Sequence, residues 1–200
     1  MGAARRAVPI FLKRGAHMSV SLSAGRTLAV KKLVMAGLCL ALCLVLPFLT
    51  GQIPQIGSML CPMHIPVLLC GFLCGWPWAL AVGMIAPPLR YLLFGMPPIF
   101  PTGVAMMAEL AVYGAMAGLL YGLLPRRPGY VYAALALSML LGRAAWGLVR
   151  WLLMAFGASA FTFQAFLAGA FLNAWPGIIC HLLLIPPIVL ALEKAGAMKA

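Results

Sequence analysis

The sequence predicts an all-α integral membrane protein with six transmembrane helices and with both termini in the cytoplasm. The 200 residues are 65% hydrophobic and 8% charged, whereas soluble domains average roughly 45–50% apolar and about 25% charged residues. Apolar segments recur from Leu33 to Leu192, and several reach the roughly 20 residues that a bilayer-spanning helix needs. The sequence therefore leaves no room for a separate globular domain.

Glycine and proline divide the apolar sequence into helices, because glycine frees the backbone and proline lacks an N–H group. We expect the second helix, which carries Pro62 and Pro66, to be tilted or partly broken. We expect the sixth helix, with Pro176, Pro186 and Pro187, to bend. The predicted spans are 31–49, 60–75, 77–96, 102–124, 130–156 and 164–192.

The chain thus divides into a basic cytoplasmic segment (1–30), a membrane domain (31–192) and a short cytoplasmic tail (193–200). We expect the first segment to be flexible, and Met18 is an alternative start. The following apolar stretch lacks a small-residue cleavage pattern and leads into further spans, which argues against a removable targeting peptide.

The distribution of basic residues orients the helices. The net charge is +12, and seven of the fourteen Lys and Arg residues precede the first span. Arg126 and Arg127 share one loop, and Lys194 and Lys199 lie in the tail. With the N-terminus inside, the inner side gathers these residues and the outer loops have none, as the positive-inside rule requires. They indicate topology and contacts with lipid headgroups, not a nucleic-acid surface.

Polar side chains within the spans are the candidates for function, because an ionisable group there costs roughly 2.5–3.5 kcal/mol on insertion scales. Counted at about 1.5 Å per residue, Glu109 and Arg150 lie at similar depths below the outer surface, and Arg143 lies near the midplane. The polar groups converge on the outer half, which predicts a pocket open to the outside. The candidate ligand-binding residues are His64, Arg90, Tyr91, Glu109, Trp146, Arg150, Gln164 and Asn173.

Each candidate also has a structural interpretation. Glu109 and Arg150 are as compatible with a structural ion pair as with ligand binding. Arg90 is compatible with an arginine that extends to the outer headgroups, and Asn173 with a hydrogen bond between helices. Trp146 is deep enough to offer a stacking surface to a ligand.

Catalytic and metal sites are not predicted. Glu109 and Glu193 are the only acidic residues, so no pair of carboxylates is available for acid–base chemistry. No nucleophile-elbow serine or His-Glu-x-x-His motif occurs. Among the six cysteines, Cys39/Cys43 and Cys70/Cys74 are four residues apart, but no histidine or carboxylate accompanies them, so they are interpreted as small hydrophobic residues.

Two stripes of small residues would allow close helix packing in lipid. Gly114, Gly118 and Gly122 repeat every four residues in the fourth span, which favours internal packing. Gly37 and Ala41 form a shorter stripe in the first span. That stripe is compatible with internal packing or with a docking surface for another membrane protein.

Three motifs, in this order, resemble those of the substrate-binding S components of energy-coupling factor (ECF) transporters, in the riboflavin-type group. The first is His64–Gly75, similar to the family's Ile-Pro-x-Leu-x-x-Gly-Phe-x-x-Gly run, with Leu89–Leu93 after it. The second is Ala108–Ala111, which resembles Gly-Glu-Leu-Ala, and the third is Pro176–Pro186. The resemblance covers roughly residues 31–192.

The resemblance implies a multi-pass protein of the prokaryotic plasma membrane that captures a vitamin or related micronutrient from outside for ATP-driven uptake. It implies a transmembrane coupling subunit and two cytoplasmic ATPase subunits as partners. The chain itself has no Gly-x-x-x-x-Gly-Lys-Ser/Thr loop, so the ATPase activity would reside in those partners, and no cofactor is expected. Gly37 and Ala41 occupy the place of the family's Ala-x-x-x-Ala docking stripe.

One departure from the motif leaves the identity of the ligand undecided. Riboflavin-binding relatives often carry an acidic residue where this chain has His64. Arg90 and Arg150, with Arg143 below them, favour an anionic ligand through charge-assisted hydrogen bonds. Two other functions stay open: a self-sufficient proton-coupled carrier that uses Glu109, and a non-transporting scaffold assembled through Gly37 and Ala41.

Overall fold

A computed structural model describes residues 8–49, 60–125, 127–157 and 162–196, and every regular element in these ranges is helical. Residues 1–7, the predicted break at 51–57, Arg126 and Lys199 lie outside them. The helices are α1 (Val8–Leu49), α2 (His64–Cys74), α3 (Trp76–Phe94), α4 (Val104–Leu123), α5 (Pro128–Met154), α6 (Phe163–Leu167) and α7 (Trp175–Lys194). A π-helical turn, Ile99–Gly103, precedes α4, and a second, Ala168–Leu172, links α6 to α7.

The all-α membrane class is confirmed. Five segments are long and apolar enough to cross a membrane, whereas α2 has only 11 residues. At 1.5 Å per residue α2 is about 16 Å long, roughly half the thickness of the hydrocarbon core. The five segments are Thr27–Phe48 in α1, α3, Ile99–Leu123, α5 and Phe163–Lys194.

Two predicted elements differ from the structure. Residues 8–30, expected to be flexible, have helical backbone that continues into the first span. The sixth span is interrupted at the π-helical turn and at Asn173, before α7, while Pro186 and Pro187 lie inside α7. Pro176 lies in the first turn of α7, where its missing N–H removes no helical hydrogen bond. α7 also includes Glu193 and Lys194, which the sequence assigned to the tail.

Contacts along the helices show that α3 and α4 run in opposite directions. A Cβ atom built on Gly118 of α4 would lie 2.4 Å from the Trp76 nitrogen at the start of α3, and one built on Gly83 would meet Leu110. The Tyr121 hydroxyl donates to the carboxylate of Glu193, which ties the ends of α4 and α7 together. The bundle therefore has a "Gly95 end", where α3 ends and α4 begins, and an "Arg127 end", where α4 ends and α5 begins.

A glycine seam joins α4 to α2 and α3. A Cβ atom on Gly114 would lie 2.7 Å from the carbonyl oxygen of Ala79, and one on Gly71 would lie 2.6 Å from that of Gly114. Real Cβ contacts are not this short, so the backbones meet at van der Waals distance only because side chains are missing. Internal packing is thus confirmed for Gly114 and Gly118, whereas a Cβ on Gly122 would meet no atom within 4 Å.

Helix α1 is the most peripheral span. Only 17% of its most hydrophobic window is buried, the lowest share of the five candidate spans. Ala36, Cys39 and Cys43 belong to the buried core. Gly37 and Ala41 lie on the exposed face, and a Cβ on Gly37 would have no neighbour within 4 Å. Of the two interpretations of this stripe, internal packing does not hold in the described part of the chain.

Candidate functional site

Three ionisable side chains from three different helices meet in the interior, nearer the Gly95 end. Glu109 Oε1 on α4 lies 2.9 Å from Arg143 Nη1 on α5 and 3.4 Å from His64 Nε2 at the start of α2. The exposed fractions of His64, Glu109 and Arg143 are 2%, 2% and 8%. We call these three residues the polar cluster.

Burial makes each member of the polar cluster dependent on the others. A charge withdrawn from water costs several kcal/mol, and only close pairing with further hydrogen bonds compensates for it. The carboxylate of Glu109 obtains that compensation from the guanidinium of Arg143 and the ring of His64. Removing one partner would leave an unpaired charge in an apolar interior.

Both ring nitrogens of His64 lie near groups that accept hydrogen bonds. Nδ1 lies 3.2 Å from the carbonyl oxygen of Cys61, and Nε2 faces the Glu109 carboxylate. Both neighbours can only accept hydrogen bonds, and a neutral imidazole can donate to only one of them. The polar cluster therefore has zero formal charge with neutral His64 and a charge of +1 with the imidazolium.

A second group of buried polar residues surrounds the polar cluster. The ring of Tyr113, one turn after Glu109, is edge-on to His64 at 5.1 Å, and the ring of His181 on α7 lies 6.0 Å from it. Arg143 Nη2 lies 3.7 Å from the sulfur of Cys61.

Two of these residues carry polar atoms without a well-formed hydrogen bond among the described residues. They are the hydroxyl of Tyr113 and the two ring nitrogens of His181, which are 0% and 2% exposed. The Tyr113 hydroxyl interacts with Glu109, and the His181 ring with the Cys61 carbonyl, but neither contact has hydrogen-bond geometry. Buried polar groups normally have hydrogen-bond partners. Tyr113 and His181, which lack well-formed ones among the described residues, are therefore candidates to bind a ligand.

The structure places His64 and Glu109 together, as the sequence suggested, but changes the partner of Glu109. The predicted partner was Arg150, at matching depth, and the observed partner is Arg143. The depth count treats side chains as points on the helix axis, whereas an arginine stem is long and carries its charge well away from its own Cα. Arg150 is half-buried two turns further along α5.

Arg90 lies apart from the polar cluster. Its Nη1 donates to the carbonyl oxygen of Leu44 on α1 at 3.0 Å, and it is 6% exposed. Its hydrogen bond therefore goes to the main chain of α1 and not to the polar cluster. Tyr91, also predicted for the site, is 37% exposed on the same helix.

The remaining candidates are on or after α5. Gln164 and Asn173 are exposed and do not reach the polar cluster. Trp146 stacks on Phe166 with ring centroids 6.3 Å apart and so joins α5 to α6. Beside this contact lies an apolar groove of about 550 Å³, lined by Ala144, Gly147, Leu148, Trp151, Thr162, Phe163 and Phe166.

Sequence reasoning missed Tyr113 and His181 as members of the site. Tyr113 could have been predicted from the sequence, because residues four apart on a helix share a face and Glu109 was already a candidate. His181 was quoted only as part of a motif. Among the described residues, no group of three His, Cys, Asp or Glu side chains could hold a metal ion.

Membrane-length apolar helices and a buried group of ionisable side chains define the class: a multi-pass membrane protein with an internal polar site. The family model for the ECF transporter, substrate-specific component, matches residues 31–189. The chain therefore belongs to this family, whose members are substrate-binding subunits of transporters and not enzymes, and which implies partnership with ECF coupling and ATPase subunits. Comparison with curated proteins gives no match, and comparison with solved structures gives none either.

Proposed function

We propose that this substrate-specific component captures a vitamin or related micronutrient outside the cell and passes it to ATP-driven partners for uptake. The observation that carries the proposal is the polar cluster of His64, Glu109 and Arg143. Ionisable residues within membrane spans are rare and costly, and they mark substrate or ion pathways. The riboflavin-type subgroup suggested by the motifs is part of the proposal, and riboflavin belongs in the test panel.

The sidedness of the site supports capture from outside. With the Gly95 end outside, the polar cluster lies about 8 Å below the start of α4, counted along the helix. Toward the Arg127 end the fully buried side chains include Leu68, Val131, Leu135 and Val189. The site thus has a polar upper part and an apolar floor, which suits binding from one side with release by another subunit.

The exposed face of α1 supports docking to the coupling subunit. Gly37 and Ala41 present backbone without bulky side chains, and small residues of this kind let helices approach closely in lipid. No described neighbour covers Gly37. A helix of the coupling subunit fits this face.

The charge of the ligand is less constrained than the sequence implied. Arg143 is paired with Glu109 and Arg90 donates to the carbonyl of Leu44, although both arginines had favoured an anionic ligand. A neutral ligand is therefore as compatible with the site as an anionic one. Matched pairs such as nicotinate with nicotinamide, and pantothenate with pantothenol, separate the two cases.

Calorimetry on the purified chain, without partners, tests the proposal. We expect one compound of a full vitamin panel to bind with submicromolar affinity, and Tyr113→Phe and His181→Gln to weaken it by about tenfold each, the loss of one hydrogen bond. Leu183→Ala, on an exposed surface, is the matched control. A panel without a binder would refute the capture function.

A second candidate function is a proton-coupled carrier, favoured by the contact between His64 and Glu109. Proteoliposomes that contain this chain alone decide between the two. Uphill uptake driven by a proton gradient would establish the carrier, and uptake only after the coupling and ATPase subunits are added would exclude it.

A further inference from the structure

Arg90 makes its hydrogen bond to a main-chain carbonyl of another helix. Its Nη1 lies 3.0 Å from the carbonyl oxygen of Leu44, and the residue is 6% exposed. The donor is on α3 and the acceptor on α1. A charged donor makes a stronger hydrogen bond than a neutral one, and the low dielectric of the membrane interior strengthens it further.

Pro47 removes one helical hydrogen bond of α1 beside this contact. Proline has no N–H group to donate to the carbonyl of Cys43, and its ring crowds that carbonyl, which weakens the helix at this turn. The carbonyl oxygen of Leu44 lies in the same turn and has two lone pairs, so it can accept from Arg90 as well as from a helical amide. Arg90 thus binds α1 at a turn that proline weakens.

Two aromatic rings hold the guanidinium in place. Its carbon lies 5.6 Å from the ring centroid of Phe48 on α1 and 5.7 Å from that of Phe94 on α3. The rings themselves meet edge to face at 4.9 Å. Cations over aromatic faces within about 6 Å are attracted to them, so one arginine joins both helices through two kinds of interaction.

The buried side chains of α1 in the core are small. They are Ala36, Cys39 and Cys43, while Met35, Leu40 and Leu46 are only partly buried against the core, and the span is the least buried of the five. Leu44 is three residues after Ala41, which places the Arg90 contact one helical turn from the exposed Gly37 and Ala41 face.

We propose that Arg90 is a positioning residue that fixes the Pro47 turn of α1 on α3 and so sets the orientation of the Gly37 and Ala41 face. Its role is distinct from ligand binding, for which the sequence suggested it. The effect on uptake rests on the docking function proposed above. The effect on α1 itself does not, because it is measured on the chain alone.

Hydrogen exchange with mass spectrometry, on the purified chain without ligand, tests the proposal. In Arg90→Gln we expect amide exchange in residues 40–49 to rise by about tenfold, the low end for losing a charged hydrogen bond. Exchange in α4 should stay unchanged. Arg90→Lys, which keeps a cation and donor, should restore most of the protection, and Phe48→Leu, a milder change, should raise exchange in the same residues.

Each outcome decides the question. A rise across the whole chain would make Arg90 a general stabilising residue and overturn the proposal, as would unchanged exchange in residues 40–49 in both Arg90→Gln and Phe48→Leu. In cells with the partner subunits, Arg90→Gln should lower uptake while vitamin affinity stays within about threefold. If Gly37→Leu leaves uptake intact, the docking function fails, and the exchange result for Arg90 still stands.

Discussion

The carboxylate of Glu109 and the guanidinium of Arg143 lie 2.9 Å apart between α4 and α5, in the interior of the helix bundle. Glu109 is 2% exposed and Arg143 is 8% exposed. Neither charge can be satisfied by water from such a position, so the pair determines how the other polar groups are arranged. His64 Nε2 approaches the same carboxylate oxygen, and the ring of Tyr113 packs beside His64.

This pairing predicts strong energetic coupling. Glu109→Gln and Arg143→Gln should each lower the free energy of unfolding by about 3–5 kcal/mol, because each leaves a buried charge without its partner. The double variant should lose less than the sum of the two single losses. Denaturant unfolding in detergent, without ligand, measures all three values. Strictly additive losses would show that the two side chains do not depend on each other.

The glycine seam predicts a position-dependent effect of alanine. Gly114→Ala and Gly118→Ala should each destabilise the protein by about 1–3 kcal/mol or prevent folding, because the new methyl group overlaps backbone that cannot move aside. Gly122→Ala is the matched control on the same helix. It should be neutral or stabilising by up to about 1 kcal/mol, since alanine favours helix over glycine. Thermal unfolding of the three variants makes the comparison, and an equal effect at all three positions would contradict it.

The exposed stripe on α1 predicts a separation of binding from uptake. Gly37→Leu and Ala41→Leu should abolish uptake, because a large side chain keeps a partner helix at a distance. Ligand affinity should remain within about threefold of the parent. Uptake in cells and calorimetry on purified protein give the two readouts, with Leu183→Ala as an exposed-surface control. Loss of ligand binding would instead indicate that the stripe stabilises the fold.

The charge distribution predicts which end faces the cytoplasm. Phe156→Cys, near the end of α5, should react with a membrane-impermeant maleimide in intact cells, whereas Arg127→Cys should react only after permeabilisation. Both positions are exposed, and the parent chain gives the background from its native cysteines. The reverse pattern would place the polar cluster toward the cytoplasm and remove the basis for capture from outside.

The sequence predicted the spans well where glycine and proline fall at helix ends. The predicted 102–124 and 130–156 compare with Val104–Leu123 and Pro128–Met154, because Pro125 lies in the turn between them and Pro128 begins the second helix. The second span was placed at 60–75, and its helix begins only at His64. Residues 61–63, just before it, satisfy a hydropathy count without forming helix.

Side-chain partners were harder to predict than spans. Depth along a helix gives the level of a residue, but the partner also depends on rotation and on side-chain length. For this reason Arg150 was preferred to Arg143 as the partner of Glu109, and the hydrogen bond from Arg90 to Leu44 was not predicted. Leu44 and Arg90 are 46 residues apart in the sequence, and no local pattern links the two.

The shortness of α2 has an electrostatic consequence. A helix that crosses the whole bilayer leaves its first amide groups at the surface, whereas α2 starts beside Glu109, deep in the bundle. The aligned peptide dipoles then bring roughly half a positive elementary charge to that depth. Because this potential comes from the main chain, no side-chain substitution removes it, and the half-length helix gives the interior a permanent attraction for negative charge.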